Sequence, residues 1–264
     1  MTKIKWMVFF CGLLLFSTPL AIASYGTNME TEEALAQDAC IEAFSALYCE
    51  LEGDTMEALR LLTEDPGLEL VDCRTRAFQL EDGALAECGA EDGAARDLQL
   101  TDIILCDRAS GGCVYFGTWD WADSVAAKDA AESWDSFGFC IEDPDAVRAR
   151  EYMVSGYSKN GVCTVRYDTA AQTSEGSIQK GADLLGGVTF WYDDTDVDHG
   201  LLCVPLHRFA DAPVTQLWMT MEHTAATAKL DFQIIRKGLF EYRFFIRWDA
   251  DAVESNARSA GVDI

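Results

Sequence analysis

The stretch LQLTDIILCDRASGGCVYFGTW, residues 98–119, decides the fold class of this chain. It contains two runs rich in branched and aromatic residues, and the turn-forming segment DRASGG lies between them. This pattern predicts two antiparallel strands joined by a hairpin. Cys106 and Cys113 flank the turn, so the hairpin places them opposite each other, where a cross-strand disulfide fits.

Eight further segments have the same β pattern and are bounded by turn residues. Two dipeptides, Asn160-Gly161 and Lys237-Gly238, predict tight turns between neighbouring strands. The predicted strands are Leu68 to Leu80, Glu151 to Ser158, Val162 to Tyr167, Val188 to Tyr192, Leu201 to Phe209, Val214 to Glu222, Lys229 to Arg236 and Leu239 to Trp248.

Residues 30–64 predict a helical hairpin. Gly53 ends the first helix, and Asp54 followed by Glu57 resembles a capping box at the start of the second. Pro66-Gly67 is expected to end the second helix.

One further helix is predicted from Asp120 to Trp134, and the acidic tail after Trp248 is predicted to be a frayed helix or disordered. Short antiparallel strands without alternating helices indicate an α+β fold that is mainly antiparallel β. We therefore expect a sandwich or barrel-like sheet with the helical hairpin packed against it.

Residues 1–23 have the three regions of a cleavable secretory signal peptide. Lys3 and Lys5 precede the apolar run Trp6 to Phe16, and Ala21-Ile22-Ala23 offers the cleavage site. The sequence therefore predicts an exported protein, either periplasmic or secreted. An uncleaved anchor is the alternative, and no later segment could span a membrane.

The mature chain, residues 24–264, is predicted to be a single β-rich domain with a weak boundary near 169–180. Hydrophobic residues make up 49% of the sequence, which is enough for a packed core and argues against disorder. The net charge of −25 excludes nucleic acid and anionic lipid as partners, because such a surface repels them.

Nine of the ten cysteines follow residue 23, and in an exported protein they are expected to form bridges. Besides Cys106 with Cys113, we predict a bridge between Cys140 and Cys163, which flank a predicted strand. Because nine is odd, at least one thiol is unpaired or bridges to another chain. Cys40, on the apolar stripe of the first helix, is the candidate for the unpaired thiol.

The segment DDTDVDHG, residues 193–200, is the most specific local signal for a cofactor. Carboxylates at alternate positions can converge on a hard cation, so Asp194, Asp196 and Asp198 are candidate calcium ligands. The pattern departs from an EF-hand, because His199 stands where the glycine of the sharp turn belongs. A solvated hairpin tip is the structural alternative.

The segment WDWAD, residues 119–123, combines two aromatic rings with two acids. Trp119, Trp121, Asp120 and Asp123 are therefore candidate ligand-binding residues, since sugar binding uses such mixtures. The alternative is that the acids start a helix and the tryptophans belong to the core.

Two functions remain open at this level. The first is a non-catalytic, disulfide-bonded binding or interaction protein of the cell envelope or medium, with an envelope or extracellular partner or ligand. The second is a secreted hydrolase, for example a glycan-directed one, that uses a pair of acids from Asp120, Asp123 or the Asp193 to Asp198 cluster. No complete catalytic pattern is present, which favours the first.

Overall fold

The computed structural model describes residues 25–81, 84–88, 96–122, 134–158, 161–168, 174–175, 178–184, 187–193, 199–209, 211–224, 231–237, 241–247 and 254–264. Residues 1–32 form one compact unit, of which the described part is the start of the first helix. Residues 33–264 form a second compact unit. Its described residues lie mostly in antiparallel strands.

The predicted helical hairpin is confirmed. Helix α1 spans Tyr25–Glu50 and helix α2 spans Thr55–Leu62. Gly53, with a φ of 87°, turns the chain between them. The carboxylate of Asp54 accepts a hydrogen bond of 3.0 Å from the main-chain N–H of Glu57, which caps α2 as its sequence predicts. Neither described helix is long and apolar enough to cross a membrane.

Seventeen strands follow the helices in the described ranges. In chain order they are β1 (Leu68–Glu81), β2 (Ala84–Cys88), β3 (Leu98–Asp107), β4 (Cys113–Trp121), β5 (Trp134–Ile141), β6 (Val147–Ala149), β7 (Glu151–Ser158), β8 (Gly161–Asp168), β9 (Ser174–Glu175), β10 (Ile178–Leu184), β11 (Gly187–Asp193), β12 (His199–Arg208), β13 (Gln216–Thr224), β14 (Asp231–Lys237), β15 (Glu241–Arg247), β16 (Glu254–Arg258) and β17 (Val262–Asp263).

These strands form two large antiparallel sheets and one small one. Sheet A has the order β2-β1-β3-β4-β12-β7-β8, with β6 also paired to β12. Sheet B has the order β16-β13-β5-β11-β10-β9, with β17 also paired to β13, and β14 pairs with β15 alone. The β3–β4, β7–β8 and β14–β15 hairpins are all as predicted. The boundary predicted near 169–180 falls where the chain passes from sheet A to sheet B, and it stays a prediction.

The two large sheets pack face to face as a sandwich. Tyr115 of sheet A lies 4.8 Å from Phe139 of sheet B between ring centroids, and Trp119 lies 4.6 Å from Phe137. The other face of sheet A is covered by the helices, where Phe44 contacts Phe116 at 4.5 Å. Because sheet A is buried on both faces, its central strands are almost continuously apolar. The predicted α+β, mainly antiparallel fold is confirmed.

The predicted helix from Asp120 to Trp134 is wrong at both of its ends. Asp120 and Trp121 belong to β4, whose ladder with β3 continues as far as the pair of Leu98 and Trp121. Trp134 begins β5. Pairing with β3 therefore overrides the helix-starting tendency of the acids. Residues 123–133 lie outside the described ranges.

The tail after Trp248 is neither a frayed helix nor disordered where it is described. β16 and β17 both pair with β13, and Ala257, Val262 and Ile264 are buried in the core between the sheets. The acidic, alanine-rich sequence of this tail is therefore held by its tertiary contacts and not by local propensity.

The hairpin disulfide between Cys106 and Cys113 is confirmed, with 4.0 Å between the two Cα atoms. The predicted bridge from Cys140 to Cys163 is wrong. Cys140 is a free, fully buried thiol on β5 of sheet B, whereas Cys163 lies on β8 of sheet A. Cys40 is a free, buried thiol as predicted. Among the described residues, the free thiols include Cys40, Cys49, Cys73, Cys88 and Cys140.

Candidate functional site

Strand β12 has a histidine near each end, and both lie on the face of sheet A that the helices cover. Leu201 and Cys203 pack against the helices, whereas Leu202 points into the sandwich. Because successive side chains alternate between faces, His199 and His207 share the helix side. Ten residues of strand span about 30 Å, so the two ends form separate polar regions.

The end of β12 near His207 forms a cationic corner, which we define as Arg148, Arg150, His207 and Phe209. Arg148 of β6 is directly opposite His207 in the ladder. Its guanidinium carbon lies 5.5 Å from the ring centroid of Phe209, and the imidazole of His207 meets the same ring edge-on at 5.2 Å. The aromatic ring therefore contacts both the guanidinium of Arg148 and the imidazole of His207.

Helix α1 contributes two polar residues to this corner. Glu33 Oε1 lies 3.7 Å from Nδ1 of His207. Gln37, which is only 1% exposed, donates from Nε2 to the carbonyls of Leu206 at 2.7 Å and Cys113 at 2.9 Å. Its Oε1 accepts a hydrogen bond of 3.1 Å from Nη1 of Arg150. Gln37 thus holds α1 against β4 and β12 and orients a guanidinium at the corner.

Arg148 has a different kind of partner from several other arginines of the described residues. Within the described ranges, this exposed guanidinium forms no ion pair, and its one recorded contact is with the ring of Phe209. Acids outnumber lysines and arginines by 45 to 20, so ion pairing would be the ordinary state of an arginine. Among the described residues, the arginines that pair with carboxylates include Arg60, Arg74, Arg76 and Arg108.

The other end of β12 brings together two regions that the sequence singles out. His199, which directly follows the acidic segment, is opposite Asp120 in the β4–β12 ladder. Its ring lies 5.9 Å from that of Tyr48, whose hydroxyl donates to the carbonyl of Gly200 at 3.1 Å. The segment between Asp193 and His199 connects sheet B to sheet A, so it is not the tip of a hairpin.

The calcium candidates Asp194, Asp196 and Asp198 lie outside the described residues, and the site stays a prediction. Among residues whose placement is described, no group of three histidine, cysteine or acidic side chains could hold a metal ion.

The prediction that Trp119 and Trp121 are ligand-binding residues is wrong. Trp119 is fully buried and Trp121 is 6% exposed, and both belong to the core between the sheets. Asp120 points to the opposite face and is exposed, because side chains alternate along β4. Asp123 lies outside the described ranges. The tryptophans are core residues, which was the structural alternative.

A buried polar network centred on Asp102 lies inside the sandwich. Asp102 Oδ1 accepts hydrogen bonds from the hydroxyls of Tyr115 at 2.5 Å and Ser259 at 2.8 Å. Its Oδ2 accepts one of 2.8 Å from the main-chain N–H of Gly261. Burial raises the pKa of this carboxyl to about 6, although the hydrogen bonds act in the lowering direction. Because it is fully enclosed, the network has no access to a ligand and holds the sheets together.

Sequence reasoning missed the cationic corner, because its residues lie in or next to β6 and the end of β12 and its supporting residues lie on α1. One signal was present. Gln37 occupies the same helical stripe as Ile41, Phe44 and Tyr48, all of which are buried. A polar residue on an apolar stripe indicates a buried hydrogen-bonding group whose partners lie on another element.

No protein-family model and no curated protein sequence matches the chain. Solved structures give weak matches. A pore forming protein is 8% identical with a TM-score of 0.29, covering 69% of this chain and 94% of its own. The collagen-binding subdomain ACE19 of the Enterococcus faecalis surface protein ACE is 6% identical with a TM-score of 0.30, covering 55% and 86%. The Clostridium perfringens NetB toxin is 7% identical with a TM-score of 0.32, covering 72% and 95%. Matches this distant carry no argument for function.

Proposed function

We propose that the protein is an exported, non-catalytic binding protein that holds an anionic ligand at the cationic corner. The observation that carries the proposal is Arg148, an exposed guanidinium beside His207 that lies on Phe209 and forms no ion pair with a described carboxylate. A guanidinium is the side chain best suited to bind carboxylate or phosphate groups, because its donors form a planar fork.

Export is supported by two independent features. The first 23 residues have the organisation of a signal peptide, and the β3–β4 hairpin carries a disulfide, a bond that persists in oxidising compartments. The periplasm and the external medium both fit these features. An extracellular or envelope ligand is therefore the expected partner.

The experiment is a binding assay on the oxidised mature chain with three anionic probes: 4-fluorobenzoate, polygalacturonate and inorganic phosphate. Broadening of the fluorine NMR line measures the binding of 4-fluorobenzoate directly. Reversal of this broadening measures the binding of polygalacturonate or phosphate as a competitor. We expect at least one probe to bind the wild-type protein and to lose at least tenfold in affinity with Arg148→Ala. Arg60→Ala is the matched control, since it removes the same charge from an exposed site on α2. Binding that is equal in the two variants would contradict the proposal.

A hydrolase is the second candidate, and one observation favours it. The register places His199 opposite Asp120 at the point where the acidic segment enters β12. An acid pair from Asp120, Asp123 or the Asp193 to Asp198 cluster could then act on a glycosidic bond. The test is hydrolysis of chromogenic glycosides, with activity expected in the wild type and lost in Asp120→Asn. Absence of activity in the wild type removes this candidate.

A further inference from the structure

We infer that the cationic corner selects a ligand with one carboxylate group, such as a small acid or the acidic end of a chain, and rejects polyanions. This inference rests on the proposed anion-binding function of the corner. It adds the class of ligand and the physical basis of the selection.

The pairing of Arg148 with His207 suits a small anionic group. Residues directly opposite in an antiparallel ladder have Cβ atoms about 5 Å apart, so Arg148 and His207 reach the same point above the sheet. Phe209 lies 5.5 Å from the guanidinium carbon of Arg148, and a guanidinium can donate two parallel hydrogen bonds to one carboxylate. The ring also offers an apolar surface to the body of a small acid.

The support behind the corner is preorganised. Gln37 is fixed by two main-chain carbonyls and in turn receives a hydrogen bond from Arg150. The guanidinium of Arg150 is therefore held in position at the corner before any ligand binds. Ordering of side chains is one of the main costs of binding, and this arrangement lowers it.

The surroundings oppose a second negative charge. Glu33 lies beside His207 on the α1 side, and the chain as a whole carries a net charge of −25. At physiological ionic strength a charge is screened over about 8 Å, so one carboxylate at the corner interacts with Arg148 and Arg150 and is opposed by the single charge of Glu33. A polyanion extends beyond this distance and meets the acidic surface. A phosphate carries more charge than a carboxylate, and Glu33 opposes the additional charge.

The dependence of binding on salt distinguishes these ligands. Added salt weakens attraction between one carboxylate and the corner, whereas it screens the repulsion between a polyanion and the acidic surface. We expect 4-fluorobenzoate to bind with a Kd of about 1 mM and to bind roughly twofold to fivefold more weakly at 300 mM NaCl than at 20 mM. Polygalacturonate, compared per uronate, is expected to bind at least tenfold more weakly at low salt and to improve as salt is added.

The outcomes separate this inference from the proposed function. If polygalacturonate or phosphate binds more tightly than 4-fluorobenzoate and still requires Arg148, the corner binds anions but the inference is overturned. If no probe depends on Arg148, the proposed function fails and the inference fails with it. Glu33→Gln provides a further measurement that does not depend on loss of binding. We expect it to improve phosphate binding at least threefold relative to 4-fluorobenzoate, and an unchanged ratio would overturn the role given to Glu33.

Discussion

The main-chain N–H of Gly261 donates a hydrogen bond of 2.8 Å to Oδ2 of Asp102, which precedes it by 159 residues. Asp102 belongs to β3 of sheet A, and Gly261 lies between β16 and β17, which pair with β13 of sheet B. A second connection runs nearby, where Nη2 of Arg74 lies 2.7 Å from Oδ2 of Asp263. The two sheets are therefore joined by directional polar contacts as well as by their apolar core.

The first prediction concerns the pH dependence of stability that Asp102 confers. Burial raises its folded-state pKa to about 6 from the ordinary aspartate value of 3.8, so the folded state binds its proton more tightly than the unfolded state. The resulting stability is fully present below about pH 4 and is lost as the pH rises through about 6. Between pH 5 and pH 7 this group should lower the free energy of unfolding by about 1 kcal/mol.

The measurement is urea unfolding of wild type and Asp102→Asn at both pH values. In the variant, the free energy of unfolding should fall by about 1 kcal/mol less from pH 5 to pH 7, because the asparagine side chain does not titrate. Glu50→Gln, at an exposed position of α1, is the control for loss of one acid. If the free energy of unfolding changes by the same amount between pH 5 and pH 7 in Asp102→Asn and in the control, this pH dependence does not come from Asp102.

The second prediction concerns Gln37, whose side chain has three partners on other elements. In Gln37→Leu the carbonyls of Cys113 and Leu206 lose a buried donor while the volume is nearly conserved. We expect a loss of about 2–4 kcal/mol in the free energy of unfolding. Gln79→Leu, at a half-buried position of β1, is the matched control and should change stability by less than about 1 kcal/mol. Equal effects of the two substitutions would remove the role assigned to Gln37.

The third prediction compares two glycines of sheet A. A Cβ at Gly200 would overlap the indole of Trp119, a fully buried ring whose centroid lies 4.6 Å from that of Phe137. A Cβ at Gly117 would overlap the sulfur of Met219, the flexible end of an unbranched side chain. We expect Gly200→Ala to destabilise the protein by about 3 kcal/mol or more, and Gly117→Ala by about 1–2 kcal/mol. Thermal or urea unfolding decides the order, and the reverse order contradicts this account of the core.

How much the sequence predicts depends on how local each signal is. The β3–β4 hairpin with its disulfide and the cap at Asp54 need only neighbouring residues, and both are correct. β5 was missed, because Ser136 and Gly138 weaken its strand pattern and its support comes from β11 and β13. β16 and β17 were missed for the same reason, since their acidic sequence is held by β13 and Asp102.

The candidate sites follow the same rule. The burial of Trp119 and Trp121 could not be predicted from WDWAD alone, because it depends on a second sheet packing over β4. The cationic corner is assembled from three elements distant in sequence, so no local motif marks it. The sequence does predict that a cationic surface region is unusual in this protein, because acidic residues greatly outnumber lysines and arginines.

The fourth prediction concerns the free thiols. Burial, with a smaller contribution from Asp107, raises the pKa of Cys40 to about 12, and burial also raises that of Cys140. Cys49 is exposed on α1. Because only the thiolate is the reactive nucleophile, a brief treatment of the native protein with iodoacetamide should alkylate Cys49 and spare Cys40 and Cys140. Peptide mass spectrometry before and after unfolding checks this result, and equal native labelling of Cys40 and Cys49 contradicts it.

The fifth prediction concerns calcium and the segment between β11 and β12. If Asp194, Asp196 and Asp198 converge on one ion, calcium binds the folded state and not the unfolded state, and it stabilises the folded state by mass action. At one hundred times the Kd this amounts to about 2.7 kcal/mol, or a rise in Tm of about 5–10 °C for a chain of this size. The rise should disappear with chelator and in Asp196→Ala, and it should persist in the control Asp145→Ala, which removes an exposed acid elsewhere. A Tm that calcium does not change would identify the acidic segment as a solvated connection between the sheets, and the search for a ligand would then concentrate on the cationic corner.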